Sequence, residues 1–259
     1  MIRASVILPT WNHAETLLYS IPSVLEQTVS DIEVLVIGDG APSRTEEIVH
    51  GFLADPRVRW IPNPKSPGQG EEYRHRVLSH EARGRIVCYL SDDDLWFPDH
   101  VEVLERALLD ADFAHTLPVG VFSDDVLGSW GPCNLEKAGH QAEIRQGRRN
   151  RIPFSAGAHT MEAYRRLPEG WAPTPPRIWT DLHFWRKFVA LPGARLRSIQ
   201  RPTTLHFPQK LHGGWSSKEA LRTLERHLKM LREPAGRFNL MAGICGMLAQ
   251  DLAVAEFRA

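Results

Sequence analysis

A chain of 259 residues, 42% hydrophobic and 24% charged, has material for one large globular core or a domain with an appendage. Its 31 Lys and Arg balance 31 Asp and Glu, so no global field draws it to nucleic acid. No apolar stretch approaches the ~20 residues of a membrane span, and the widely spaced, odd set Cys88, Cys133 and Cys245 excludes a disulfide framework or a cysteine metal site. A reduced, cytoplasmic compartment suits such cysteines. Arg3 leads directly into a strand-like run, so no signal peptide is expected.

Residues 4–8 form a buried apolar run closed by Pro9-Thr10-Trp11-Asn12, which predicts a first strand. Leu17, Leu18, Ile21, Val24 and Leu25 recur at helical spacing, predicting a helix over 15–27 that Pro22 kinks or delays. A second strand over 32–37 ends at Gly38-Asp39-Gly40. Ser43, with Glu46 three residues on, predicts a capped helix over 45–53. A short strand at 58–61, a Pro- and Gly-rich loop over 62–70 and a helix at 71–81 follow. The next apolar run, 86–90, ends in Asp92, Asp93 and Asp94, after which Pro98 opens a helix near 100–109. Four β–α alternations in the first hundred residues imply a parallel sheet with helices on its faces.

The second half is less regular. Residues 113–122 read as a strand and 126–153 as a long loop or irregular strands carrying the basic run Arg145, Arg148, Arg149 and Arg151. A short helix is expected after Gly157 within 156–167, loop over 168–176, and an aromatic-rich helix over 179–191. Two edge strands, 195–199 and 203–206, precede a loop at 208–217 that includes His212. Two amphipathic helices, 217–232 and 238–257, close the chain, suited to covering the core or a homodimer interface rather than a bilayer.

Open parallel sheets bind ligands at the carboxyl ends of their strands, where Trp11, Asp39 and Asp92 to Asp94 collect. Three adjacent carboxylates repel unless a cation or hydroxyl-rich ligand lies among them. Mg²⁺ or Mn²⁺ takes one or two carboxylates plus substrate phosphates, so the cluster suits a diphosphate substrate. The alternative is a helix cap or solvated turn. Asp39 reads as the acceptor of a nucleobase N–H or as an Asx-type turn, and Trp11 as a stacking surface or a wall residue.

The runs Val6-Ile7-Leu8-Pro9-Thr10-Trp11-Asn12, Ser23-Val24-Leu25-Glu26-Gln27-Thr28 and Glu33-Val34-Leu35-Val36-Ile37-Gly38-Asp39-Gly40 resemble the start of family 2 glycosyltransferases. Leu90-Ser91-Asp92-Asp93-Asp94-Leu95-Trp96-Phe97-Pro98 resembles their metal-binding Asp-x-Asp region, with a likeness to the spore-coat nucleotide-diphospho-sugar transferase type. The resemblance covers residues 4–100. It implies a GT-A fold: a Rossmann-like, mostly parallel α/β sheet flanked by helices, with a C-terminal helical appendage. Residues 1–215 would form the transferase domain, 1–110 its nucleotide-binding half and 111–215 its acceptor-binding half, and 216–259 the helices.

By the same resemblance, Pro9, Trp11 and Asp39 would hold the base, Asp92 the ribose and Asp93 the metal bridging the diphosphate. Asp94 would be a bystander or support, although an Asp92-x-Asp94 pair competes. Arg74, in Arg74-His75-Arg76, would touch the nucleotide or lie on an exposed helix face. Thr180-Asp181 resembles the segment carrying the general base, for which a helix cap is the alternative and Glu162, Glu169 and Asp125 are rivals. A C-terminal His, His206 or His212, would complete the metal site. The implied activity is metal-dependent, inverting transfer of a sugar from a nucleoside diphosphate to a hydroxyl acceptor (saccharide, glycolipid or natural product). The alternatives are a nucleotide-sugar-binding protein without catalysis and a sugar-phosphate nucleotidyltransferase, but Pro9-Thr10-Trp11-Asn12 is no nucleotidyltransferase signature loop.

Overall fold

A computed structural model describes residues 1–122, 126–131, 133–147, 149–208 and 217–257. In chain order the elements are β1 (Ala4–Thr10), α1 (Leu17–Leu25), β2 (Ile32–Gly38), α2 (Ser43–His50), β3 (Val58–Ile61), α3 (Glu71–His80), β4 (Ile86–Tyr89), β5 (Leu95–Trp96) and α4 (His100–Ala107). They continue with β6 (Phe113–Val121), β7 (Leu127–Gly128), α5 (Ala138–Gln146), β8 (Gly157–Thr160), α6 (Met161–Arg166), α7 (Thr180–Ala190), β9 (Leu196–His206), α8 (Ser217–Arg232) and α9 (Pro234–Phe257).

Among the described residues one sheet runs β3-β2-β1-β4-β8-β6-β9-β5, with β7 on β6. The first four strands pair in parallel. Both faces of that region are covered, which is why β1 and β2 are buried along their length and mostly apolar rather than alternating, with Ser5 and Glu33 paired to each other. Val6 and Leu8 point into a core shared with α1, α2 and α4, and Ile7 into one shared with α3, α6 and α7. Each such fully buried side chain stabilises the fold by about 1.5–3 kcal/mol. After β4 the sheet turns mixed, because β8 runs antiparallel between β4 and β6 while β9 lies parallel to β6.

Several expectations change. Ser43 does not cap α2; Pro42 holds the N-cap position with no side-chain cap, and Glu46 instead accepts from Trp60 Nε1 at 3.4 Å. Helix α1 starts late, after a 3₁₀ turn at Ala14–Thr16, and contains Pro22. A helix, α5, occupies part of 126–153, where only Ile144 gives it an apolar anchor. The two expected edge strands are one strand, β9, flanked on both sides by β6 and β5. Its register against β6 jumps from Ile199 to Pro202, whose ring removes a ladder donor. Helix α9 buries one face, Leu240 and Ile244 with Met241, Met247 and Leu248 packed beside them, and leaves Phe238 exposed. Helices α8 and α9 cover a third core with Leu95, Phe97, Val119 and Leu205. The loop holding His212, together with Asp125 and Arg148, lies outside the described residues.

Candidate functional site

The parallel register brings Thr10 beside Gly38 and Ile7 beside Tyr89, so β1, β2 and β4 release their loops at one sheet edge. The acidic loop after β4 is clamped from three directions. Thr10 Oγ1 donates to Asp92 Oδ2 at 2.7 Å, and His13 Nδ1 lies 3.1 Å from Asp92 Oδ1. Asp94, fully buried, accepts from Ser155 Oγ at 2.5 Å and from the Phe207 N–H at 3.0 Å, while His206 Nδ1 lies 3.0 Å from both its oxygens. Ser155 Oγ also accepts from the Ser91 N–H at 2.9 Å, and the Trp96 indole donates to Ser155 O at 2.8 Å.

The three carboxylates therefore differ. Asp94 is no bystander but the anchor that ties the acidic loop to the end of β9. Asp92 is engaged by Thr10 and His13. Asp93 receives no hydrogen bond from a described residue, and burial, then the charges of Asp94 and Asp92, push it up to about 7. His206 rises to about 9: burial lowers it, but the charge and hydrogen bond of Asp94 outweigh that, with Asp93 and Asp181 adding. Among the described residues, the ligand-bearing atoms that cluster within 4.8 Å are those of His13, Asp92 and Asp93. A half-buried carboxylate facing two others, with an imidazole alongside, fits a divalent cation. His206, bound to Asp94, is not in that cluster.

At the other end of the cleft Asp39 is buried. Its Oδ2 accepts from Lys65 Nζ at 2.5 Å and Ser66 Oγ at 3.1 Å, and its Oδ1 from the Ser66 N–H at 2.6 Å. Gly40 and Gly70 flank it with positive φ, and a side chain at Gly40 would meet Lys65 Cβ at 2.5 Å. The Lys65 ammonium sits 5.2 Å from the centroid of the Trp11 ring, which is 49% exposed. Trp11 is therefore an open aromatic face rather than a wall residue.

Arg74, in α3, lies within reach of the charges of Asp39 and Asp181. It is buried, not on an exposed face, and among the described residues its Nε and Nη2 have no hydrogen-bond partner. Its guanidinium packs 4.4 Å from the Trp171 ring centroid. Burial lowers its pKa, against the attraction of Glu71, Tyr89, Asp39 and Asp181. Arg76 faces outward and donates to Asn63 Oδ1.

Asp181 stands in the first turn of α7, where Trp179 and not Asp181 or Thr180 is the N-cap. Asn150 Nδ2 donates to both its oxygens at 2.9 Å and the Leu182 N–H to one at 2.8 Å. Burial raises its pKa, opposed by the Asn150 and Leu182 hydrogen bonds and by His206. Of its described rivals, Glu162 is exposed and Glu169 is paired with Lys187 at 2.7 Å. Arg145, Arg149 and Arg151 spend donors on the carbonyls of Val189 and Trp130. His13, Lys65, Ser66, Asn150 and Ser155 escaped the motif reading. His13 and Lys65 had a signal, the one adjoining the Trp11-Asn12 motif and the other in the Pro- and Gly-rich loop before α3.

A parallel α/β half whose strand tops carry an acidic cluster, joined to a mixed half, defines a GT-A-type fold. The sequence model described as glycosyl transferase family 2 matches residues 5–167, and the chain belongs to that family. It is 33% identical over 99 residues to an Escherichia coli UDP-Glc:alpha-D-GlcNAc-diphosphoundecaprenol beta-1,3-glucosyltransferase, WfgD, covering 38% of each chain. It is 28% identical over 192 residues to an uncharacterized glycosyltransferase of Nostoc, covering 70% of this chain and 57% of that one. The fold matches that of S. aureus TarS 1-349 with a TM-score of 0.62 at 17% identity, over 90% of this chain and 66% of TarS 1-349. The chain thus spans between about two fifths and two thirds of the lengths of these three proteins. Among the described residues no helix is long and apolar enough to cross a membrane.

Proposed function

We propose that this chain transfers a sugar from a nucleoside diphosphate to a hydroxyl acceptor, with inversion and with the aid of Mg²⁺ or Mn²⁺. One observation carries the reading. The acidic loop holds a crowded carboxylate, Asp93, that receives no hydrogen bond from a described residue, and α3 holds a buried guanidinium, Arg74, two of whose nitrogens have no hydrogen-bond partner among the described residues. A metal-bound diphosphate satisfies both. S. aureus TarS, which shares the fold, has been crystallised with UDP-GlcNAc, and WfgD is named for a UDP-sugar donor, which supports a nucleotide sugar here.

Each end then has a task. Trp11 offers its exposed face to the base, and Asp39, oriented by Lys65 and Ser66 with Pro9 nearby at the end of β1, accepts a base N–H through a remaining lone pair. Asp92 stands at the ribose side and Asp93 takes the cation, with His206 adjoining through Asp94. A cation held there would neutralise the charge that builds on the departing diphosphate. Arg74 holds the diphosphate from the opposite side.

Asp181 takes the acceptor hydroxyl's proton as that oxygen attacks the anomeric carbon and the diphosphate leaves from the opposite face. Burial raises its proton affinity, as a base requires, and Asn150 fixes its orientation. The acceptor-facing half is the stretch after residue 110, where Trp179 stands 64% exposed beside the base. Asp181→Asn keeps the shape and removes the base. It is expected to leave nucleoside-diphosphate affinity within about threefold and to lower transfer on the order of 10²–10⁴-fold. Undiminished transfer in that variant moves the base elsewhere. Nucleotide-sugar binding with no transfer by the wild type to any saccharide or lipid-linked acceptor favours the non-catalytic binding reading.

A further inference from the structure

We infer that His13 is a protein ligand of the divalent cation, completing with Asp92 and Asp93 a set of one imidazole and two carboxylates. The inference deepens the metal-dependent reading above and rests on it, and it moves Asp92 from the ribose to the cation, since its other oxygen is taken by Thr10. His13 Nδ1 and Asp92 Oδ1 are 3.1 Å apart, and ligand atoms of all three side chains lie within 4.8 Å of one another. Two ligands at right angles on a cation with bonds near 2.1 Å stand about 3.0 Å apart, so the His13–Asp92 spacing already suits adjacent coordination positions.

The surroundings hold this set in place. Asp92 has one oxygen occupied by Thr10, which leaves the other directed at His13. The His13 carbonyl accepts from the Thr16 N–H at 3.2 Å and from Thr16 Oγ1 at 2.7 Å, fixing the backbone that carries the ring. Asp93 receives no hydrogen bond from a described residue. His206 is differently placed, with Nδ1 directed at Asp94 and the ring 5.2 Å from that of Trp130. An independent sign that a charged ligand belongs in this cleft is Arg74, only 3% exposed, with two buried nitrogens unpartnered.

The chemical consequence is metal choice. Imidazole is a softer ligand that transition metals such as Zn²⁺ and Fe²⁺ take readily, and Mn²⁺, although it favours oxygen ligands, accepts it more readily than Mg²⁺, which demands oxygen ligands and retains waters. A site with His13 binds Mn²⁺ in preference to Mg²⁺ beyond what carboxylates alone give, and loses that margin when the imidazole goes.

The test uses Mn²⁺, first alone and then with UDP, on the full chain and on His13→Gln and His206→Gln. Pulsed electron paramagnetic resonance reads directly bound imidazole through its ¹⁴N modulation. The wild type should show it, His206→Gln should keep it and His13→Gln should lose it. Mn²⁺ affinity should fall on the order of 10-fold in His13→Gln while Mg²⁺ affinity stays within about threefold. The His13 side chain is 40% exposed, so its replacement leaves the core intact. Modulation that survives in His13→Gln overturns the assignment, as does its absence from the wild type with Mn²⁺ bound. Either result leaves the metal-dependent reading standing if Asp93→Asn still abolishes Mn²⁺ binding. Failure of the wild type to bind Mn²⁺ with or without UDP overturns both.

Discussion

Asp94→Asn isolates the best-defined electrostatic contact in the cleft. The substitution preserves shape but removes the charge that His206 faces at 3.0 Å and weakens the acceptors for Ser155 and the Phe207 N–H. His206 is held at about 9 against an ordinary value of 6.5. That difference of roughly 2.5 units corresponds to about 3 kcal/mol favouring the protonated ring in the folded state. Because the folded value lies above the unfolded one, this stability is fully present below pH 6.5 and is lost as pH rises through about 9. In Asp94→Asn burial still lowers His206, and only the weaker attractions of Asp93 and Asp181 remain, so its value should fall well below that of the wild type. Asp93 should fall as well, because Asp94 is the largest charge raising it. Titration of the metal-free protein by histidine-ring NMR, with His206→Gln for assignment, reads the first effect. Urea denaturation at pH 6 and pH 9.5 reads the second: the stability gap between wild type and variant should be about 3 kcal/mol at pH 6 and shrink at pH 9.5. A wild-type His206 that titrates near 6.5, or an unchanged value in Asp94→Asn, refutes the pairing.

Arg74→Met removes a buried cation with two unpartnered nitrogens, so stability should hold or rise by about 1 kcal/mol while nucleoside-diphosphate affinity falls at least about 10-fold; a loss of about 3 kcal/mol in urea denaturation with unchanged affinity contradicts its assigned role. His100, His115 and His159 are buried and lowered by that burial to about 3, 4 and 3, so they stay neutral in the fold and protonate on unfolding. Their contribution is complete above pH 6.5 and is lost as pH falls toward 3, by about 2 kcal/mol each at pH 5. The urea midpoint should drop clearly between pH 7.5 and pH 5, and an unchanged midpoint contradicts their burial as neutral rings.

The parallel half was legible because strands covered on both faces must be apolar throughout, and the helices between them repeat Leu, Ile and Val at helical spacing. The mixed half hid for physical reasons. Strand β5 is two residues long, α5 buries only Ile144, and Gln200-Arg201-Pro202 interrupts β9 just where its register against β6 jumps. In the site, residue type and position singled out Asp93, Asp39, Trp11 and Asp181. Their partners were invisible because they are distant in sequence: Thr10 meets Asp92 across 82 residues, and Asp94 meets Ser155 and His206 across 61 and 112. Asp94 read as a bystander or a support, and the non-local contacts with Ser155, His206 and Phe207 make it the anchor. The buried setting of Arg74 likewise comes from Trp171 and Phe154, which no local pattern around α3 encodes.

Calorimetry of nucleoside diphosphates with Mn²⁺ present and absent, on wild type and Asp93→Asn, addresses the central claim. If the cleft holds a metal-bridged diphosphate, at least one nucleoside diphosphate should bind the wild type more than about 10-fold tighter with Mn²⁺, and Asp93→Asn should abolish the enhancement. Binding that is indifferent to Mn²⁺, or an enhancement that persists in Asp93→Asn, contradicts it.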